Sequence, residues 1–299
     1  MSLIKKIYRA VIPETLRWKI INSKRKKEEN AIKSLILTYY NNHPTKDLEI
    51  NEALSYLQMN DLSVFPYDFF NQYKTKDIKV LIDETNQMPY VIHFNKKLYF
   101  KKSWTENHIV DAYRFLLAEQ DIKSAHCYLN TDYAIKDNAV VVDVGAAEGI
   151  FVVSDIERIQ HVYLIETDPE WIEALNETYK PWSDKITIIN KFISDKDDEH
   201  NLRLDTYFKN DEQIDFLKID VDGAEQDLIN GAQKTISDKV DMLAICTYHK
   251  TNDNKDFSEL LLSKNYRIEN SNGYMLFYFD SGFEAPYFRR GLIKAKKNI

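Results

Sequence analysis

The chain has 299 residues, 44% of them hydrophobic, enough to bury one large core or two ordinary ones. A net charge of −7 argues against nucleic acid as a partner, and the two cysteines, Cys127 and Cys246, are too few for a structural zinc site and read as buried small hydrophobes. No apolar run approaches the roughly 18 residues of a membrane span and no signal-peptide core is evident, so a cytoplasmic globular protein is expected.

Charge is unevenly spread. Residues 1–27 hold Lys5, Lys6, Arg9, Arg17, Lys19, Lys24, Arg25, Lys26 and Lys27 against Glu14 alone, and Arg289, Arg290, Lys294, Lys296 and Lys297 make the other end basic. Leu3, Ile4, Ile7, Tyr8, Val11 and Ile12 recur at helical spacing, and Leu16, Ile20 and Ile21 continue the pattern past Pro13. This basic helical arm could pack on the domain or on a second subunit, or lie peripherally on the inner face of an anionic membrane. Helical periodicity persists over Ala31–Phe70 with a break at Asn41–Thr45.

The period then changes. Ile78–Asp83, Tyr90–Phe94 and Lys97–Lys101 alternate as strands around turns at Thr85–Pro89 and Asn95–Lys96, and a helix is expected from Thr105 to Glu119. Beyond Thr131 the rhythm becomes strand, helix, strand: Ala139–Asp143, Val162–Glu166, Ile186–Ile193, Ile214–Asp220 and Met242–Thr247 are strands, with helices over Pro169–Tyr179 and Ala224–Ser237. Asn272-Gly273 between Tyr266–Glu269 and Tyr274–Asp280 predicts an antiparallel hairpin at the end. The expected organisation is an arm over 1–60, a meander and helix over 61–130 that cap the acceptor side, and a doubly wound, mostly parallel seven-stranded α/β sheet over 131–299.

Ligands of open α/β sheets bind beyond the carboxyl ends of the strands, and here those ends carry carboxylates. The first strand stops at Asp143 and turns on Gly145 and Gly149; this spacing lacks the G-x-G-x-x-G of a dinucleotide site and suits an S-adenosylmethionine turn. Glu166, 23 residues after Asp143, could accept the ribose hydroxyls of an adenosine or cap the helix at Pro169. Asp220, Asp222 and Glu225 repel one another unless Mg²⁺, a helix amino terminus at Gly223, a ligand ammonium or Lys218 offsets them. His249 closes the fifth strand beside Tyr248 and has the chemistry to take a hydroxyl proton, whereas His108 and His126 have no such placement. Tyr128, Trp104, Arg289 and Arg290 could line an acceptor pocket or merely pack.

Val142-Asp-Val-Gly-Ala-Ala-Glu-Gly149, Leu164-Ile-Glu-Thr-Asp168, the run Asp215 to Glu225, and Gly231-Ala232 together resemble the motifs of the FkbM methyltransferase family in that family's order. Pro89–His93, Glu119-Gln-Asp121, Ala244–His249 and Pro286–Ile293 extend the resemblance over about residues 65–297. It implies a class I, S-adenosylmethionine-dependent methyltransferase acting on a hydroxyl, commonly of a sugar in a bacterial glycan, lipopolysaccharide or glycosylated metabolite. Cofactor contacts are then expected at Asp143, Gly145, Ala146, Gly149, Glu166, Thr167, Ser194 and Asp220, with Asp220 and His249 as the catalytic pair. Metal-dependent relatives would place Mg²⁺ at Asp220 and His249, but their pair of fifth-strand carboxylates is absent here. A small-molecule or glycan acceptor and a homo-oligomer fit this reading. A nucleotide-sugar enzyme, such as a glycosyltransferase or dehydrogenase, and a non-catalytic scaffold with a relict fold remain as alternatives.

Overall fold

The computed structural model describes residues 14–210, 213–280 and 282–298, with side chains from 23 onward, so the expected Leu3–Ile12 helix lies outside the described residues. The described residues form two compact units, one from those up to 68 together with those between 274 and 288, the other from those between 69 and 273 together with those from 289 onward. The boundary differs from the expected one because residues 274–288 leave the carboxy-terminal domain and join the amino-terminal helices.

In the first unit, α1 (Glu14–Asn42) and α2 (Leu48–Met59) are separated by the polar break. Asp47 caps α2 by accepting from Glu49 N at 2.9 Å and Ile50 N at 3.2 Å. The returning segment is tied back by Tyr274 Oη donating to Asp47 Oδ2 (2.7 Å) and by Tyr40 Oη donating to the Pro286 carbonyl (2.6 Å). Ile36, Ala53, Leu57, Phe65 and Leu276 are among its buried apolar residues.

The second unit opens with the antiparallel meander β1 (Leu81–Ile82), β2 (Pro89–His93) and β3 (Lys96–Tyr99), followed by α3 (Glu106–Glu119), which Thr105 caps. Then come β4 (Val140–Val144), α4 (Ile150–Val153), β5 (His161–Ile165), α5 (Pro169–Tyr179), β6 (Ile186–Ile189), and the short pair β7 (Phe192–Ile193) and β8 (Asn201–Leu202). The chain continues as β9 (Ile214–Ile219), α6 (Glu225–Gly231), α7 (Gln233–Asp238), β10 (Val240–Cys246), α8 (Asp253–Ser263), β11 (Tyr266–Asn270) and β12 (Leu292–Lys297). Seven strands form one sheet in the order β11-β12-β10-β9-β4-β5-β6. The body β6-β5-β4-β9-β10 is parallel, and β12 runs antiparallel to both of its neighbours. Every residue of β4 is buried, as a central strand covered on both faces requires. Val142, Val144, Leu217, Ile219, Leu243 and Ile245 carry this core.

The antiparallel tail is present, but its partner strand is not the expected one. β11 pairs with Leu292–Lys297, and Asn272-Gly273 instead releases the chain into the first unit before it returns as β12. A local turn signal lost here to the burial of 274–288 against the helices of that unit. Among the described residues, no helix is long and apolar enough to cross a membrane.

Candidate functional site

The carboxyl ends of β4, β5 and β9 converge on the turn after β4. Gly145 N and Ala146 N both donate to the Ile165 carbonyl, at 3.0 and 3.1 Å, and Asp220 N donates to Val144 O at 3.1 Å. Gly145 has φ +75°, and a Cβ there would overlap the Asp220 carbonyl oxygen, so only glycine lets the turn run this close to β9. Gly149, at φ +80°, lies against Leu175 and Tyr179, whose Oη donates to its carbonyl. The glycine spacing thus serves a close approach of backbones, the same feature that leaves N–H groups accessible to a ligand.

Glu166 follows β5 and ties the turn to that strand. Its Oε2 accepts from Ala147 N (2.9 Å), and its Oε1 from Thr167 N (2.6 Å) and Asp168 N (2.8 Å). Helix capping falls to Asp168, whose Oδ1 accepts from Glu170 N at 2.8 Å, which removes capping of that helix as a role for Glu166. Ser194, at the end of β7, has its carbonyl packed on Gly231 and its hydroxyl in a turn with Lys196.

Beneath the turn, fully buried Asp143 pairs with Lys218 Nζ at 2.9 Å, and the same ammonium donates to Gly145 O at 2.6 Å. Burial alone would discharge Lys218, but Asp143 and Asp220 outweigh it and hold the ammonium charged. Asp143 is therefore a scaffold for the Gly145 turn.

Asp220 is the hub. Its Oδ2 accepts from Tyr128 Oη at 2.8 Å and lies 3.5 Å from His126 Nε2; its Oδ1 faces Tyr248 Oη at 3.4 Å and His249 Nε2 at 4.0 Å. Burial opposes its charge, yet His126, Lys218 and His249 together hold the carboxyl far below the usual carboxylate range. His126 has no strand-end placement in the sequence, and the structure brings it to the centre: it is 2% exposed, with Cys246 Sγ at 3.6 Å and Glu119 Oε1 at 4.0 Å. A search confined to strand ends misses a side chain delivered by the loop that leads into β4. His108 instead stacks on Trp104 at 4.0 Å, and Trp104 packs edge-on to Trp171.

His249 sits among carboxylates, with Nδ1 2.9 Å from Glu225 Oε1 and Nε2 3.6 Å from Asp222 Oδ1. Burial would lower its pKa, but the contacts with Asp222 and Glu225 prevail and push it up to about 10. At neutral pH the ring is an imidazolium, so it holds a proton where a general base would need a vacancy. His126 is also raised, because Glu119 and Asp220 outweigh its burial. The repulsion anticipated among Asp220, Asp222 and Glu225 is offset by His249, by Lys218, and by Val221 N and Gly223 N donating to Glu225 Oε1 at 3.1 and 3.3 Å. Arg289 donates to the Tyr248 and His249 carbonyls at 2.9 and 2.8 Å, and Arg290 to Gly273 O, so both arginines serve the scaffold.

Donor atoms of His126, Asp220 and Cys246, and of Asp220, Glu225 and His249, lie within 4.8 Å of one another. Neither set is the all-oxygen octahedron that Mg²⁺ prefers: one offers a thiol and an imidazole, the other an imidazole beside two carboxylates. A cavity of about 130 Å³ beside Gly145 is lined by Glu119, His126, Tyr128, Glu148, Lys218 and Asp220. Burial pushes the Glu148 carboxyl up to about 8, leaving it mostly neutral at pH 7.

Residues 181–268 match the family model described as the methyltransferase FkbM domain. No curated protein sequence matches the chain. Among solved structures, the methyltransferase FkbM of Methylobacillus flagellatus KT is 19% identical at a TM-score of 0.45, covering 63% of this chain and 51% of that one. TrmK of M. capricolum, solved with S-adenosylhomocysteine, is 16% identical at a TM-score of 0.38, covering 55% and 64%. A putative methyltransferase of Streptococcus mutans, also solved with S-adenosylhomocysteine, is 14% identical at 0.38, covering 55% and 91%. The chain thus spans about half the length of the Methylobacillus protein.

Proposed function

We propose that this chain is a methyltransferase of the FkbM family, built on a class I methyltransferase sheet, and that it uses S-adenosylmethionine to methylate a hydroxyl group, in a sugar of a glycan or glycosylated metabolite. The observation that carries the reading is the Gly145 turn, pressed against the Asp220 backbone and bracketed by the carboxylates of Glu166 and Asp220. The residues fit the cofactor: glycines clear the backbone, and the half-buried Asp220 anion favours a cationic ligand. Glu166 engages three of a carboxylate's roughly four lone-pair positions with backbone N–H groups, which leaves one for a ribose hydroxyl.

The cofactor would supply an electrophilic methyl group on a sulfonium. The protein's part is alignment, exclusion of water, and handling of one proton. Asp220 is our candidate proton acceptor, replacing His249. A hydroxyl oxygen becomes strongly acidic once it is alkylated, so a weak carboxylate base suffices late in the reaction. His126 and His249 act as positioning residues that keep Asp220 ionised and fixed. The sugar reading rests on the family resemblance.

Calorimetric titration with S-adenosylmethionine tests the proposal. Glu166→Ala should weaken binding by about tenfold or more, the worth of a lost charge-assisted hydrogen bond. Unchanged affinity would overturn the ribose assignment, and binding of NAD or a uridine nucleotide in place of S-adenosylmethionine would favour the nucleotide-sugar alternative.

A further inference from the structure

A cavity of about 560 Å³ in the second unit lies away from the transfer site. Its walls come from the β1–β3 meander, from Glu157 ahead of β5, and from Lys180 and Trp182 ahead of β6. Those last three residues precede the amino ends of β5 and β6, whereas Gly145, Glu166 and Asp220 follow the carboxyl ends of β4, β5 and β9. A strand of about five residues separates the two ends by roughly 15 Å. The cavity is therefore no extension of the methyl-transfer pocket, and its size falls in the range of small-molecule sites, roughly 300–1,000 Å³.

Its chemistry is specific. Three lysines line it, and each is already paired: Lys97 Nζ with Asp83 Oδ2 at 2.7 Å, Lys96 with Glu157 at 3.1 Å, and Lys180 with Glu177 at 3.2 Å. Positive and negative charges cancel, so an anionic ligand would meet as many carboxylates as ammoniums. The polar groups are also held in place. Asp83 accepts from Thr85 N (2.9 Å), Thr85 Oγ1 (2.6 Å) and Tyr99 Oη (2.6 Å), and Asn86 Nδ2 donates to Glu177 Oε2 at 2.9 Å. The same cavity is lined by the half-buried Trp182. A neutral polyhydroxylated ring meets such a wall with hydroxyls on the ion pairs and its apolar C–H face on the indole.

We propose that this cavity is a carbohydrate exosite, which grips a neutral stretch of oligosaccharide remote from the hydroxyl that is methylated. The step from exosite to acceptor rests on the sugar reading above; sugar binding at the cavity does not. Trp182 supplies the stacking platform, and the Lys97–Asp83 and Lys180–Glu177 pairs supply the hydroxyl contacts.

The test is calorimetry of the full chain with three hexasaccharides, chitohexaose, maltohexaose and the anionic hexagalacturonate, alongside S-adenosylhomocysteine. At least one neutral hexamer should bind, more tightly than hexagalacturonate. Trp182→Ala should weaken that binding about tenfold and Trp182→Tyr should largely restore it, as loss and return of one aromatic platform predict. Both variants should keep the wild-type affinity for S-adenosylhomocysteine, which also shows that they fold. Binding of neither neutral hexamer, preference for the anionic one, or indifference to Trp182→Ala would each overturn the exosite. Loss of S-adenosylhomocysteine binding by the wild type, with sugar binding intact, would overturn the proposed function and leave the exosite standing.

Discussion

Gly145 and Gly223 both hold left-handed backbone, at φ +75° and +93°, yet they differ in what surrounds them. A methyl group on Gly223 would meet only His249 Cβ at 3.8 Å and Lys250 Cε at 3.9 Å, ordinary contacts, so Gly223→Ala should cost the backbone strain alone, about 1–2 kcal/mol. On Gly145 it would drive into the Asp220 carbonyl and spread β4 from β9, adding overpacking to strain for a total of about 3–5 kcal/mol. Urea unfolding of the two variants reads the difference directly; equal losses would mean that the close approach at Gly145 is not rigid. This distinction was half legible beforehand. The Asp143-x-Gly145 spacing announced a tight turn, but that β9 was the element it approached depends on sheet order. His126 shows the same limit, since a loop residue's reach is set by the tertiary path and leaves no periodic trace. His249 shows another. Its position was legible, but its charge depended on Glu225 turning back to within 2.9 Å.

Among the elements, the parallel strands were the easiest to read, because central strands covered on both faces must be continuous apolar runs. The second strand of the carboxy-terminal pair was not, because Asn272-Gly273 is a sound turn signal that says nothing about where the chain goes next. The small meander was anticipated and carries a testable pH dependence. His93, on β2, is 6% exposed, with Nδ1 2.9 Å from Tyr113 Oη and Nε2 3.1 Å from Ser154 Oγ. Burial, helped by the charges of Lys96 and Lys76, lowers its pKa to about 4. The native ring is thus neutral, and the unfolded chain takes up the proton first. Its contribution is full above about pH 6.5 and is lost as pH falls through 4. The stability gap between wild type and His93→Gln should therefore narrow by on the order of 2 kcal/mol from pH 7 to pH 4. A gap that stays constant over that range would show that the native imidazole titrates as it does in the unfolded chain.

At the scale of the whole molecule, the site is assembled from segments far apart in the chain. Glu119 and His126 come from before the sheet, the Gly145 turn and Glu166 from its first half, and Asp220 and His249 from its second. A ligand seated among them must stabilise the native second unit as a body, since the unfolded chain holds no such arrangement. At a hundredfold excess over its dissociation constant, S-adenosylhomocysteine should add about 2.7 kcal/mol, which for a domain of this size raises the melting temperature by roughly 5 °C. NAD should add nothing, because Gly145 and Gly149 are four residues apart and lack the third glycine that a pyrophosphate requires. Thermal melts with each ligand decide between these outcomes: a shift with NAD and none with S-adenosylhomocysteine would reverse the assignment of the turn. The acidic hub adds a further expectation to the same experiment. Asp220→Asn removes the anion that a sulfonium or ammonium would meet while keeping an acceptor for Tyr128, so it should shrink the ligand-induced shift more than it lowers the melting temperature of the free protein.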